Sequence, residues 1–311
     1  MISLRYHIVS IAAVFLALAM GVVLGSTSLS SRLLSTVGGQ RESLQEQVSH
    51  LQGERADLRT RLAAADRFGE AVGPMAVQGR LDQRSVVLIS SWDAAPQQRD
   101  AVKELLRASG AQVTGEIRLT EEFADPANAD RLRNVVTQLL PAGVQLPTAA
   151  DPGTLAGGLV GPLALNPQSG QSPVSDDARA AAFAGLADGG FLQASPGVRP
   201  GQLAVVLTGG ALSGRGAGDK AATLARFATQ LDQAGSGAVL VGSAGSADGS
   251  GAVGVARADP SISSAVSTVD DVDSAAGRVA VVLALREQLD RQAGHYGVAA
   301  NAQGPVPHTR G

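Results

Sequence analysis

The stretch from Arg84 to Leu119, RSVVLISSWDAAPQQRDAVKELLRASGAQVTGEIRL, decides the fold. RSVVLISS is a short continuous apolar run, the signature of a strand covered on both faces. A helical stretch from Gln97 to Ala108 follows, closed by Gly110, and AQVTGEIRL reads as a second strand. Strand, helix and strand in that order describe a βαβ unit and so a parallel sheet. The alternation continues. PANADRLRNVVTQLLP reads as a second helix ending at Pro141, QLAVVLTGG and GAVLVGS as buried strands around a helix from Asp219 to Ala234, and a short strand near Ala265 to Val269 precedes a helix from Asp273 to Gln292. Residues 145–200, rich in Gly, Pro, Ala and Ser, read as a connecting lobe with helices around Thr154 to Ala164 and Asp176 to Ala187. The α/β domain thus covers 73–295, and 296–311, ending in the polar AQGPVPHTRG with its two prolines, reads as a disordered tail.

Upstream, Ile8 to Leu24 is apolar apart from Ser10 and Gly21, about the length that crosses a bilayer core. Arg5 precedes it, and no Asp or Glu occurs before Glu42. The positive-inside bias places the first residues in the cytoplasm and everything after Ser26 outside, so residues 1–26 form the cytoplasmic end and transmembrane helix of a single-pass cell-membrane protein. The rival reading is a cleaved signal peptide, because Ala17-Leu18-Ala19 fits a small-x-small cleavage site, although apolar residues continue to Leu24.

Two features in this region predict self-association. Ala13, Ala17, Gly21 and Gly25 recur every fourth residue, a small-residue stripe that lets membrane helices approach closely. Beyond it, Leu34, Val37, Arg41, Leu44, Val48, Leu51, Arg55, Leu58, Leu62 and Ala65 advance by alternating steps of three and four, a heptad seam with no proline to interrupt it. Residues 27–72 read as a parallel coiled coil, with Ala17, Gly21, Gly25, Leu44, Val48, Leu51, Leu58 and Leu62 at a homodimer interface.

Composition narrows the chemistry. A net charge of -3 and 3% aromatic residues lack the basic surface and stacking platforms of nucleic-acid binders. Cysteine is absent, which removes disulfides, thiolate catalysis and Cys-ligated metals. The histidines, His7, His50, His295 and His308, are scattered, and so are Met1, Met20 and Met75, so no local stretch assembles a soft-metal site. In TGGALSGRGAGDKAA the residue after Lys220 is Ala221, where a phosphate loop requires Ser or Thr, and the Gly214, Gly216, Gly218 spacing misses the dinucleotide pattern. No Gly-x-Ser-x-Gly turn holds a nucleophile, and His295 is the one histidine of the globular part before its tail. Asp270, Asp271 and Asp273 lack the glycine and distal glutamate of a calcium loop and read as a turn before a helix capped by Asp273 or Ser274.

STVDDVDSAAGRVAVVLAL with the GHYG that follows, and the N-terminal MISLRYHIVSIAAVFLALAMGVVLGS, resemble the actinobacterial MctB family, named for mycobacterial copper transport protein B. The likeness runs over nearly the whole chain. It implies one of two roles: copper export, described for the family as an outer-membrane pore, or the cell-separation role of members called SteB, which work with a cytoplasmic-side partner, SteA. The residues themselves predict one span and buried-type strands rather than a pore. Fold and function are therefore expected as an α/β chain with an N-terminal transmembrane helix, a coiled coil and an extracytoplasmic domain with a mainly parallel sheet. It is expected to act without catalysis or cofactor, as a homodimeric interaction module of the envelope in copper homeostasis, with a SteA-like partner in the alternative reading.

Overall fold

The computed structural model describes residues 4–148, 151–168, 170 and 172–307, with side chains from residue 6 onward except over 26–43. Leu34, Val37 and Arg41 of the seam therefore lie outside the described side chains, and residues 308–311 of the tail lie outside the described residues. The chain divides into two compact units, Met1–Ala65 and Asp66–Gly311. Helix α1 (Leu4–Val77) opens the chain, followed by β1 (Ser85–Ser90), α2 (Pro96–Ala108), β2 (Gln112–Leu119), α3 (Glu121–Ala124) and α4 (Ala129–Gln138). Next come α5 (Pro152–Ala164), α6 (Asp176–Asp188), β3 (Leu192–Ala194), β4 (Leu203–Leu207), α7 (Ala217–Ala234) and β5 (Ala238–Val241). Helices α8 (Ala252–Ala258) and α9 (Pro260–Ser263), strand β6 (Ser267–Val269), helix α10 (Ala275–Leu289) and β7 (His295–Tyr296) complete it.

In the first unit Tyr6–Gly25 is a 20-residue helical segment long and apolar enough to cross a membrane. Ala17, Gly21 and Gly25 are exposed on it. Leu44, Val48, Leu51, Leu58 and Leu62 are exposed as well, between 51% and 69%.

The second unit is built on a seven-stranded sheet in the order β3-β2-β1-β4-β5-β6-β7. Every pair is parallel except β2 with β3. Parallel strands need helical crossovers, which cover both faces and demand apolar residues on each. Val86 and Leu88 of β1, with Leu203, Val205 and Leu207 of β4, face the layer of α2 and α10. Val87 and Ile89, with Ala204 and Val206, face the layer of α4, α5, α6 and α7.

Residues 145–200, expected to connect, instead supply much of the second layer. Ten residues of α5 are buried, among them Leu155, Leu159, Val160 and Leu163. The reason is a glycine face. A Cβ on Gly153 would lie 2.3 Å from the Thr223 carbonyl oxygen, one on Gly157 2.5 Å from Gln230 Cβ, and one on Gly161 2.6 Å from Ala234 Cβ. Three glycines four residues apart let the backbone of α5 rest on α7, and the low side-chain content that suggested a loose lobe is what permits the contact.

Two boundaries also differ from expectation. The break expected at Gly73 and Pro74 does not occur, and α1 runs through both to Val77. Tertiary contact overrides the proline: Val77 is fully buried, a Cβ on Gly73 would sit 3.3 Å from Val279 of α10, and Asp66 Oδ1 accepts the Ala275 N–H at 2.5 Å. The expected disordered tail is ordered from Tyr296 through Pro307, with Tyr296 in β7 and bridged to Gly304, and Val306 packed against the core.

The glycine face gives a direct test. Gly157→Ala raises helix propensity by about 1 kcal/mol, yet the clash with Gln230 should reverse the sign and cost about 1–3 kcal/mol. Gly218→Ala in α7, where a Cβ meets nothing within 4 Å, should leave stability unchanged or raise it. Urea denaturation of the two variants reads the difference.

Candidate functional site

The carboxyl ends of the central strands are where open parallel sheets collect functional groups, with the crevice at the switch point between β1 and β4. Here that position is occupied by the chain's own side chains. Ser91 Oγ donates to Asp93 Oδ1 at the end of β1, and a Cβ on Gly209 after β4 would meet the Asp93 carboxylate at 2.5 Å. The glycine-rich segment between β4 and α7 folds against the loop after β5, where a Cβ on Gly210 would lie 2.6 Å from the Ala244 oxygen. Gly216, with φ of 75°, starts α7 without a side-chain cap.

One strand pair further on, Arg257 of α8 and Asp270 after β6 form an ion pair at 2.6 Å with side-chain exposures of 3% and 2%. Nearly every polar atom around them is used. Arg257 Nε donates to Thr268 Oγ1 at 2.9 Å, Nη1 also to Asn301 Oδ1 at 2.8 Å, and Nη2 to the Tyr296 carbonyl at 2.8 Å. Asp270 Oδ1 accepts the N–H groups of Val298 and Ala299 at 2.8 and 3.2 Å. Two charges removed from water are tolerable only with this degree of hydrogen bonding. Burial pulls the Arg257 pKa down, against the opposing pull of Asp270.

The GHYG motif, Gly294 to Gly297, closes over this pair. A Cβ on Gly297, with φ of 133°, would lie 2.2 Å from Asp270 Oδ1, and one on Gly294 would lie 2.0 Å from the Tyr296 hydroxyl. Both positions therefore require glycine. The Tyr296 hydroxyl donates to Glu287 Oε2 at 2.5 Å, and burial with this carboxylate holds its pKa well above the usual value. His295 Nδ1 lies 3.0 Å from Thr268 Oγ1. Because that oxygen already accepts from Arg257, its own proton is available to Nδ1, which favours a neutral imidazole carrying its proton on Nε2. Burial and Arg257 both lower the His295 pKa.

The three aspartates of the 270–273 turn point to three separate tasks. Asp270 holds Arg257 and the segment after β7. Asp271 accepts from Ser274 Oγ at 2.6 Å, and burial raises its pKa. Asp273 accepts from the Gln98 side chain and, at 2.6 Å, from the Ala244 N–H. Ser274 is the cap, its Oγ accepting from Gly277 N at 2.9 Å. Among the described residues no group of three or more His, Cys, Asp or Glu could hold a metal ion. Arg257 escaped sequence reading altogether; its only signal is a lone arginine inside the otherwise small and apolar AVGVARA of α8.

A second polar position lies at the amino end of the strands, beside the start of β5. Asp232 lines a cavity of about 440 Å³ with Gln288 and Arg291. Burial raises its pKa from 3.8 to about 6, although its Oδ1 accepts the Ala238 N–H.

These observations define an α/β protein headed by one apolar helix of membrane-spanning length, whose sheet edge is closed by a buried ion pair rather than left open as a crevice. A family model described as "Copper transport outer membrane protein, MctB" matches residues 1–307, and the chain belongs to that family. The copper transporter MctB of Mycobacterium tuberculosis strain H37Rv is 42% identical over 308 residues, covering 97% of this chain and 98% of that protein. The Mycobacterium bovis protein of the same name matches equally well, and that of Mycobacterium leprae is 40% identical over 311 residues, 97% of this chain and 98% of its own. The family description and the apolar helix together support membrane association.

Two predictions follow from the geometry. Asp270→Asn strands the Arg257 charge and should cost about 3–5 kcal/mol in chemical denaturation, with faster amide exchange over 296–307. Adding Arg257→Met should recover part of that loss. For Asp232 the sign runs the other way. The folded chain holds the proton more tightly, so this group's contribution to stability falls as the pH rises from 3.8 to about 6 and stays unfavourable above. Asp232→Asn keeps the acceptor for Ala238 and should raise stability at pH 7.5 by about 1–3 kcal/mol, and by much less at pH 4, in melts at the two pH values.

Proposed function

We propose that this protein is a membrane-anchored, non-catalytic member of the copper-transport family that serves copper efflux or homeostasis in the cell envelope as a dimeric interaction module. It is not a self-contained pore. The observation that carries this reading is the pairing of one membrane-length helix with a doubly wound sheet of short strands. A transmembrane pore built from one chain needs a closed barrel of long alternating strands or several spans, because unpaired backbone groups are costly in lipid. Strands β1 and β4 instead bury residues on both faces.

The ligand chemistry supports an indirect role in copper handling. Among its described residues the globular unit offers His295, committed to Thr268, and Met75, with no cysteine in the chain. Cu(I) prefers thiolate and thioether ligands, so a partner would carry the ion. The positive charge of Arg5 before the span supports a cytoplasmic N-terminus with the α/β unit outside. The exposed apolar stripe from Leu44 to Leu62 supports self-association and also favours a second reading, a SteB-like scaffold for cell separation with a SteA-like partner on the cytoplasmic side.

Titration of the detergent-solubilised full chain with Cu(I) against a competing chelator tests the central claim. The expected outcome is no submicromolar binding. A tight site of defined stoichiometry would make the protein itself the carrier. A deletion strain separates the two physiological readings: copper sensitivity supports the first, and chains of unseparated cells support the second.

A further inference from the structure

We infer that the stripe from Leu44 to Leu62 takes a second copy of this chain laid parallel and in register, with Glu54 of each copy seated between Arg55 and Arg59 of the other. This rests on the reading that the protein self-associates and specifies the surface and its code. The stripe is continuous and uncovered: Leu44, Val48, Leu51, Leu58 and Leu62 are all more than half exposed. In heptad terms Val48, Arg55 and Leu62 occupy a positions, and Leu44, Leu51 and Leu58 occupy d positions. A β-branched a residue with leucine at d favours two parallel strands.

Register follows from charge. In a parallel pair each g residue faces the e residue five positions later on the other helix, and lies beside the a residue that follows its own position. Here Gln47 meets Gln52, Glu54 meets Arg59, and Glu54 also neighbours the Arg55 layer. Within one copy Glu54 has only His50 at 3.7 Å, and neither Arg55 nor Arg59 has a carboxylate partner among the described residues. The second copy supplies it. A slip of one heptad sets Glu54 against Asp66 and Arg61 against Arg59, two like-charge contacts, and forces Arg55 against Val48 or Leu62. An antiparallel pair sets Arg55 against d-position side chains, which are all apolar in this stretch. The in-register parallel pair alone matches polar layer with polar layer and acid with base.

The chain has no cysteine, so single introduced thiols report register without background. Full-length Leu51→Cys and Leu58→Cys proteins, oxidised in micelles, should each cross-link to dimers. Co-expressed and distinguished by a size tag, the two should form less than about one tenth as much mixed cross-link, because a heptad separates them by roughly 10 Å. A predominant mixed product would overturn the register while leaving self-association standing. Monomers by light scattering with no cross-link in any sample would overturn self-association as well. A charge test is independent of thiols. Arg59→Glu and Glu54→Arg should each raise the dimer dissociation constant about tenfold, since each sets like charges together on both flanks. Mixed in equal amounts, these two variants should form the heterodimer well beyond the one half of all dimers that random pairing gives. A statistical partition, with half of the dimers mixed and a quarter in each homodimer, would show that the pairing of Glu54 with Arg59 does not exist.

Discussion

Where α5 crosses α7, backbone meets backbone, and much of the second unit is arranged around that contact. A helix whose crossing face is Gly153, Gly157 and Gly161 can lie close enough to α7 to drive Leu155, Leu159, Val160 and Leu163 into the core. Dispersion is short-ranged, so this closeness matters more than the size of any side chain involved. The same approach seats Phe227 of α7 against Phe123, with ring centroids 5.1 Å apart at 78°, an edge-to-face pair that ties α3 to the layer. Glycine stripes are familiar from membrane helices, where close approach substitutes for the hydrophobic effect. Here one does the same work in a helical layer packed on a sheet, on a helix that also contains Pro162 in its last turn.

The closed sheet edge follows a different logic. A doubly wound sheet offers its carboxyl edge to ligands, and this chain fills that edge with its own groups. The Asp93 carboxylate lies over Gly209, Asp273 ties Gln98 to the Ala244 amide, and the segment after β7 folds back on Arg257 and Asp270. At that edge of a fold often associated with small-molecule chemistry, these polar groups are paired with one another.

Much of the architecture was legible because parallel strands have a strong signature. SVVLIS, LAVVL and AVLV could be read as buried strands from continuous apolar runs, and helices from the stretches between them, one closed by Gly110 and another by Pro141. What escaped were features that depend on partners distant in sequence. Residues 145–200 read as a loose lobe because small side chains look like linker until the helix they rest on is known. Pro74 read as a helix break because the partners of the adjoining turn, Leu105 of α2 and Val279 of α10 against Gly73, lie far along the chain. The GHYG motif could be quoted from sequence, but its reason, two glycines making room for a tyrosine hydroxyl and a buried carboxylate, required Asp270 to be placed. Arg257 carried almost no signal at all.

The contact between Asp66 and Ala275 joins residues 209 positions apart, and Arg278 reaches back to Glu70 over a similar span. The first helical turns of the second unit are therefore completed by its last long helix. Such nonlocal closure slows folding, because the chain between the partners must be ordered before the contact forms. A polypeptide emerging from its amino end presents Val77 and the apolar strands before their cover exists, and nothing short of nearly the whole chain supplies it. Maturation of this protein consequently has a late step set by topology: until α10 arrives, the segment that follows the apolar N-terminal helix remains open to proteases and to chaperones that bind exposed apolar surface.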